Sequence, residues 1–528
     1  MIFLKKILKT DNKKELQKLK KRIALILTAT VLITALACGC KKKEPAGAEQ
    51  EQPAPQPVII DKTPKEHRDP YRGIAFTLPY DYKDDFSMSE FMTVFYNDDT
   101  EIEIYAKEPD QFGFEAYMKF SYAFLENTVD HRDIVRDSFE KDGINYVITC
   151  WSREAAKVIE NDKHIYFACD FEKDGKIYSV IKKTCDADAD LDSFRALMES
   201  AVFFRPTDTA PKMTTKKTDN KKSERAKEFY NEIFSDKAEL SWGLYDKKAA
   251  TEDVTRIERY EKELGTELPV ALTYVGLFKE PDGRISEILE KFRSVGCVTE
   301  LTLQTQSNAD GSNTMYDILA GEYDRSLKHF AKSVKKFGHP VLFRPMNEMN
   351  GDWCEYSAYH TSRDCSIYRK VYRYIHDIFE KQGADNALWV WNPNEGSFPD
   401  FSWNHALTYY PGDEYVDIVG LTAYNTGDYY KKEGERWKSF TTLYKDLYRE
   451  YCDLFAQPLM ITEFACAERG GDKRAWVRDM FEKLPYYGRI KVAVWWSHVD
   501  YDPKSGKVAR DYRIGTVSDI FKENLANK

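Results

Sequence analysis

Between residues 238 and 499 the chain repeats one rhythm. Eight short runs rich in apolar, β-branched and aromatic residues lie at 238–245, 269–278, 297–306, 340–348, 387–394, 416–424, 458–466 and 490–499. Stretches of helical periodicity, such as 324–336, 363–381 and 437–451, separate most of them, and the gap between the fifth and sixth runs reads mainly as a long loop. Strands alternating with helices specify an α/β fold with a parallel sheet. Eight units favour a closed (β/α)8 TIM barrel over an open doubly wound sheet. No Gly-rich phosphate loop follows the first run, which removes the usual nucleotide-binding alternative.

At 528 residues the chain has room for more than a barrel. Residues 69–206 read as a small α+β domain. Ile102-Glu103-Ile104-Tyr105 alternates, Tyr146-Val147-Ile148-Thr149-Cys150 is apolar, and Lys173-Asp174-Gly175-Lys176 between two strand-like runs signals a hairpin. Residues 114–126 and 191–202 have helical patterns, and no catalytic constellation is visible in this domain. It is flanked by a solvated tether at 41–68, rich in Lys, Glu, Pro, Gln and Ala, and by a polar linker at 207–226, so the barrel domain is 227–528.

Residues 1–40 have the pattern of a secretory signal. Basic residues from Lys5 to Arg22 precede an uncharged, mainly apolar segment at 23–37 and then Cys38-Gly39-Cys40. The apolar segment falls short of the ~20 residues that span a bilayer. Small residues before a cysteine resemble a bacterial lipoprotein signal, which implies lipidation at Cys38 or Cys40 and anchoring to the outer face of a bacterial cell membrane. Residues 1–37 hold nine Lys/Arg against two acids, so the remainder is more acidic than the whole-chain net charge of −9. An acidic body makes nucleic acid and anionic polymers poor partners and suits a neutral polymer, bound by a monomer.

Chemistry concentrates at two runs. Phe343-Arg344-Pro345-Met346-Asn347-Glu348 closes the fourth and Ile461-Thr462-Glu463-Phe464 lies in the seventh. The C-terminal strand ends of a barrel form its active site. Two glutamates there are what glycosidic hydrolysis needs, an acid/base and a nucleophile, about 5–5.5 Å apart in a retaining enzyme. Either glutamate alone reads equally well as a solvated loop acid. Arg344 can orient Glu463 and favour its ionised form, or serve as an ordinary barrel-interior ion pair. Eight of the ten tryptophans fall from Trp353 to Trp496, and aromatic faces stack on pyranose rings. Trp353, Trp391, Trp495 and Trp496 are therefore candidate sugar platforms. Of the neighbours Trp495 and Trp496 at most one faces the cleft of a regular strand. Trp389 points to the same side as Trp391 but lies deeper, where core packing is the better reading. The nine histidines show no two-ligand helical spacing, so no catalytic metal is expected. Cys169, Cys297 and Cys466 sit in apolar runs as core residues, while Cys354 and Cys365 flank the loop after the fourth run and can pair.

Arg344-Pro345-Met346-Asn347-Glu348-Met349-Asn350-Gly351-Asp352-Trp353 resembles the acid/base motif of glycoside hydrolase family 26. Trp389-Val390-Trp391-Asn392-Pro393-Asn394, Tyr410-Pro411-Gly412-Asp413 and Ile461-Thr462-Glu463-Phe464 are similar to that family too, over about residues 227–523. The resemblance implies a (β/α)8 barrel and a retaining endo-acting β-glycanase that needs no cofactor. Most members are β-mannanases, with mixed-linkage β-1,3-1,4-glucanases and xylanases as minorities. It also implies Glu348 as acid/base, Glu463 as nucleophile, Tyr424 as a donor to the nucleophile and Asn347 as a partner of the sugar 2-hydroxyl. Mannanases of the family usually carry His before the acid/base, and this chain has Asn347. A plant-type β-polysaccharide, with β-1,4-mannan first, is the expected substrate. The alternatives are a silent surface glycan-binding lipoprotein and a chain whose main activity lies in 69–206.

Overall fold

The computed structural model describes residues 61–109, 113–218 and 220–526. The signal with Cys38 and Cys40, and most of the tether, lie outside them. In the N-terminal region a seven-stranded antiparallel sheet runs in the order Lys83–Asp85, Thr93–Tyr96, Thr100–Lys107, Lys176–Thr184, Ile165–Lys173, Ile144–Ser152 and Arg132–Lys141. The hairpin signal forms as read. Lys173 pairs with Lys176, and Asp174 and Gly175 take φ of +51° and +73°, the left-handed pair of a type I′ turn. Helix Leu191–Ser200, capped by Asp190, packs Phe194 and Met198 on the sheet. Helix Gly113–Ser121 is shorter than its pattern, because the 3-10 turn Ala123–Glu126 replaces its end.

Both segments read as free connections are partly built in. A small sheet begins at Lys65, within the stretch assigned to the tether, and buries His67 and Asp69. The 207–226 segment is fastened to the barrel. The Thr215 amide donates to the Leu454 carbonyl at 2.8 Å, and the buried Lys222 ammonium lies 2.7 Å from Asp417. Helix Glu224–Phe234 then starts inside it.

Eight parallel strands close the barrel: β1 (Ser241–Tyr245), β2 (Val270–Gly276), β3 (Val298–Gln304), β4 (Val341–Pro345), β5 (Ala387–Trp391), β6 (Ile418–Asn425), β7 (Leu459–Cys466) and β8 (Ile490–Trp496). Closure is by β1 against β8, from Ser241↔Val492 to Tyr245↔Trp496. Helices follow most strands; after β5 only 3-10 turns appear, consistent with the long loop read there. Alternation along the strands sorts two layers. Val270, Leu272, Leu342, Leu388, Val390, Ile418, Met460, Val492 and Val494 meet inside, and helix Glu224–Phe234 covers them with Ala226 and Phe234. Fully burying each such aliphatic side chain is worth ~1.5–3 kcal/mol. That apolar plug supports a polar layer of Glu300, Thr302, Arg344, Asn392 and Thr422, all buried.

Candidate active site

The fourth strand stops at Pro345, which has no N–H to continue the ladder. The chain turns sharply there, with Met346 at φ +54° and Glu348 at φ +55°, a region L-residues enter at a cost. The turn is pinned by the Met346 amide on the Leu303 carbonyl at 2.8 Å and the Glu348 amide on the Asn392 carbonyl at 2.7 Å. Glu348 therefore stands three residues beyond the strand rather than at its tip, half-buried at the mouth.

Glu463 arrives differently. Met460 belongs to the inner layer, while Ile461 and Phe464 pack outward against the helices. Strict alternation would turn Glu463 outward with Ile461. The register against β6 slips instead, so Leu421 pairs with Ile461 but Thr422 with Glu463. This bulge lets Thr462 and Glu463 both face inward, the re-aiming that bulges provide beside active sites. Thr462 Oγ1 meets Thr422 Oγ1 at 3.0 Å.

Four donors converge on the Glu463 carboxylate. Oε1 accepts from Arg344 Nη1 at 3.0 Å and Asn347 Nδ2 at 3.1 Å. Oε2 accepts from Tyr424 Oη at 2.9 Å and from the Tyr274 hydroxyl. Burial, with the Glu463 charge added, pushes both phenols well above their ordinary value, so both stay donors. Arg344 is itself fixed by Thr302 Oγ1 and Asn392 Oδ1, each at 2.8 Å, and lies 3.1 Å from Glu300. Burial works against its cation, but Glu300 and Glu463 outweigh that and raise its pKa. Burial pushes the Glu300 carboxyl up to about 8; Arg344 opposes the rise and the Glu463 charge adds to it.

Glu348 has the opposite surroundings. Its Oε1 accepts from Asn394 Nδ2 at 2.6 Å and its Oε2 from Trp353 Nε1 at 3.4 Å. Burial and then the Glu463 charge push it up to about 7, against those two bonds. Near neutral pH it can hold a proton, while the two Glu463 oxygens accept four hydrogen bonds. One carboxyl has surroundings that favour its proton, and the other is surrounded by donors.

The remaining residues divide. Arg344, Asn347, Tyr424 and Trp353 contact the glutamates, and Trp496 stands half-buried at the mouth, stacked on Tyr245 at 5.3 Å. Trp391 and Trp495 are placed elsewhere. Trp391 is fully buried in the outer layer against Tyr410 and Phe455. Trp495 packs outward on Phe464 and Phe521 and donates to the Tyr512 carbonyl at 2.9 Å. Alternation turns both toward the helices, so neither lines the cleft. Trp389 shares that layer, against Phe343 and Phe379. Cys354 and Cys365 are both free thiols, donating to the carbonyls of Asn347 and Trp403.

Sequence reasoning passed over Tyr274 and Gln304, and it gave Asn392 and Asn394 no role beyond their place in a motif. Tyr274 had a signal, since it sits at an inward, alternate position after Val270 and Leu272. Gln304 holds the Asn347 side chain, with Nε2 on Oδ1 at 3.1 Å, a contact from the end of β3 to the turn after β4 with no local sequence mark.

Residues 293–455, from before β3 to beyond β6, match the family described as Glycosyl hydrolase family 26. Endoglucanase H of Acetivibrio thermocellus is 33% identical over 182 residues, 34% of this chain and 20% of that protein. A mannan endo-1,4-beta-mannosidase of Bacillus subtilis is 40% identical over 104 residues, 18% of this chain and 26% of its own length. Beta-1,3-xylanase TXYA of a Vibrio species is 25% identical over 182 residues, 34% of this chain and 37% of its own. The chain thus spans well under half of the length of these curated relatives.

Proposed function

We propose that this chain, whose barrel belongs to glycosyl hydrolase family 26, is a retaining endo-β-glycanase. The observation that carries the reading is the pair of carboxyls at one mouth in opposite environments. Glu463 accepts four donors, while burial raises Glu348 to about 7. Glu348 protonates the leaving glycosidic oxygen as Glu463 attacks the anomeric carbon. The C–O bond to the leaving sugar breaks and a glycosyl ester on Glu463 forms. Glu348, now ionised, takes a proton from water as that water releases the sugar, and both groups return to their starting states. Asn347, bonded to Glu463 at 3.1 Å, is in this reading the partner of the sugar 2-hydroxyl. Exclusion of water and donors fixed in advance make such a site effective at the developing charge.

For the sugar, β-1,4-mannan is the first reading, supported by similarity to a mannosidase. Mixed-linkage β-glucan is the second, favoured by Asn347 in place of His and by the similarity to an endoglucanase. The signal pattern at 1–40 supports export and anchoring through Cys38 or Cys40 to the outer face of a bacterial cell membrane; among the described residues no helix is long and apolar enough to cross a membrane. The test uses a polysaccharide and an aryl glycoside with a good leaving group. Glu463→Ala should lose both activities. Glu348→Ala should lose ~10²–10⁴-fold on polysaccharide but keep much of the first step on the aryl glycoside, which needs no acid. Undiminished polysaccharide hydrolysis in either variant would sink the assignment.

A further inference from the structure

Two large aromatic rings stand open beside the acid/base. Trp353 is 51% exposed and Phe398 49% exposed, with ring centroids 5.4 Å apart and planes inclined by 49°. A flexible apolar side chain in water folds away, and exposed apolar patches mark contact sites. These rings are held open. A Cβ on Gly351 would come within 2.5 Å of the Trp353 ring and one on Gly396 within 3.4 Å of the Phe398 ring. Each ring thus lies along bare glycine backbone on one side and leaves the other to solvent.

Phe398 is also in register with Glu348. Its amide donates to the Asn350 carbonyl at 2.8 Å, two residues past the acid/base. The Asn350 amide donates to the carbonyls of Asn394 at 3.2 Å and Gly396 at 3.1 Å. The Asn404 amide bridges the Asn350 and Pro399 carbonyls, each at 3.0 Å. Just beyond, the N-terminal domain fastens the loop. Lys107 Nζ donates to the Asp400 carbonyl at 2.9 Å, Phe401 meets Tyr117 at 4.7 Å, and Trp403 Nε1 donates to Ser121 Oγ at 3.1 Å.

We propose that Phe398 is a second sugar platform on the leaving-group side, taking the apolar face of the pyranose one unit beyond the sugar that packs on Trp353. This rests on the reading of Glu348 as acid/base, which places the leaving sugars on its side. A phenyl ring has no polar group with which to read hydroxyl configuration. Its contribution is therefore to chain length: it rewards a substrate that extends two units past the cleaved bond and is indifferent to which neutral β-linked hexose supplies them.

The full chain with Phe398→Ala and Phe398→Trp tests this against the wild type. Phe398→Ala should raise KM for the polysaccharide about tenfold with kcat little changed, a loss of one decade of binding. Hydrolysis of an aryl glycoside whose leaving group ends at Trp353 should be unchanged, and Phe398→Trp should restore the polysaccharide KM. In native gels containing the polysaccharide, wild type should be retarded and Phe398→Ala should run free. An unchanged polysaccharide KM with unchanged gel retardation overturns the proposal. So does equal slowing on both substrates, which would make Phe398 a structural residue. If the wild type hydrolyses neither substrate, the glycanase reading fails by itself, and gel retardation still decides for or against Phe398.

Discussion

Glu463 and Glu348 face one another across a single barrel mouth, yet different kinds of structure hold them. Glu463 lies inside β7, and its donors come from β2, β4, the turn after β4, and β6. Barrel closure fixes all of these together. Glu348 lies on a left-handed turn, and its partners Trp353 and Asn394 stand in the segments after β4 and β5. Those segments lean on the α+β domain. After β3, the Asn313 amide donates to Asp130 at 2.8 Å. After β4, Arg363 pairs with Asp170 at 2.9 Å and Asp364 with Lys183 at 3.1 Å, all fully or almost fully buried. After β5, Lys107 holds Asp400. The Glu463 half, the proposed nucleophile's, gets its precision from strands. The Glu348 half, the proposed acid's, is made of loops and gets it from a second domain.

Removing a charge from each half should show that division, with the nucleophile half hit hardest. Arg344→Ala leaves Glu300 and Glu463 side by side without their shared cation. Breaking a buried pair this way costs ~3–5 kcal/mol, measured here by urea unfolding. Hydrolysis of polysaccharide and of an activated aryl glycoside should both collapse, since both need Glu463. Asp170→Ala strands the buried Arg363, whose cation Asp170 supports against burial. It should cost a similar ~3–5 kcal/mol at most, with relaxation of the domain joint reducing it. Its kinetic signature should be selective: polysaccharide hydrolysis falls because Glu348 is displaced, and glycosylation by the activated glycoside holds. If Asp170→Ala slowed both substrates equally, the two halves would not be separable and the brace would be a general stability element.

The same division explains what the sequence made legible. All eight barrel strands could be read from apolar runs, because burial on both sides leaves a strong local pattern. The two glutamates could be read from the motifs around them. What failed was the side to which residues point and the company they keep. Trp391 and Trp495 looked like platforms because tryptophan suits both a cleft and a core, and only the phase of each strand sends them outward. The bulge that turns Glu463 inward has no composition of its own; β7 read from alternation alone would have buried that carboxylate among the helices. The docking of the α+β domain was invisible for another reason. Its contacts join residues far apart in sequence, such as Asp170 with Arg363, and each looks locally like a surface charge.

The smallest predicted effect is a pH shift that tests the acid half alone. Asn394 donates to Glu348 Oε1 at 2.6 Å and so favours the ionised carboxylate. Burial and the Glu463 charge oppose it and win, raising Glu348 to about 7. In the proposed mechanism Glu348 acts only when protonated, so kcat/KM on polysaccharide should fall as pH rises through that value. Asn394→Ala removes a force that lowers the pKa and leaves the two that raise it. Glu348 should then keep its proton to higher pH, moving the basic limb upward by under about one unit, the scale of a single neutral-donor bond. A basic limb that stayed in place or moved down would mean that Asn394 does not hold the Glu348 carboxylate in its ionised form.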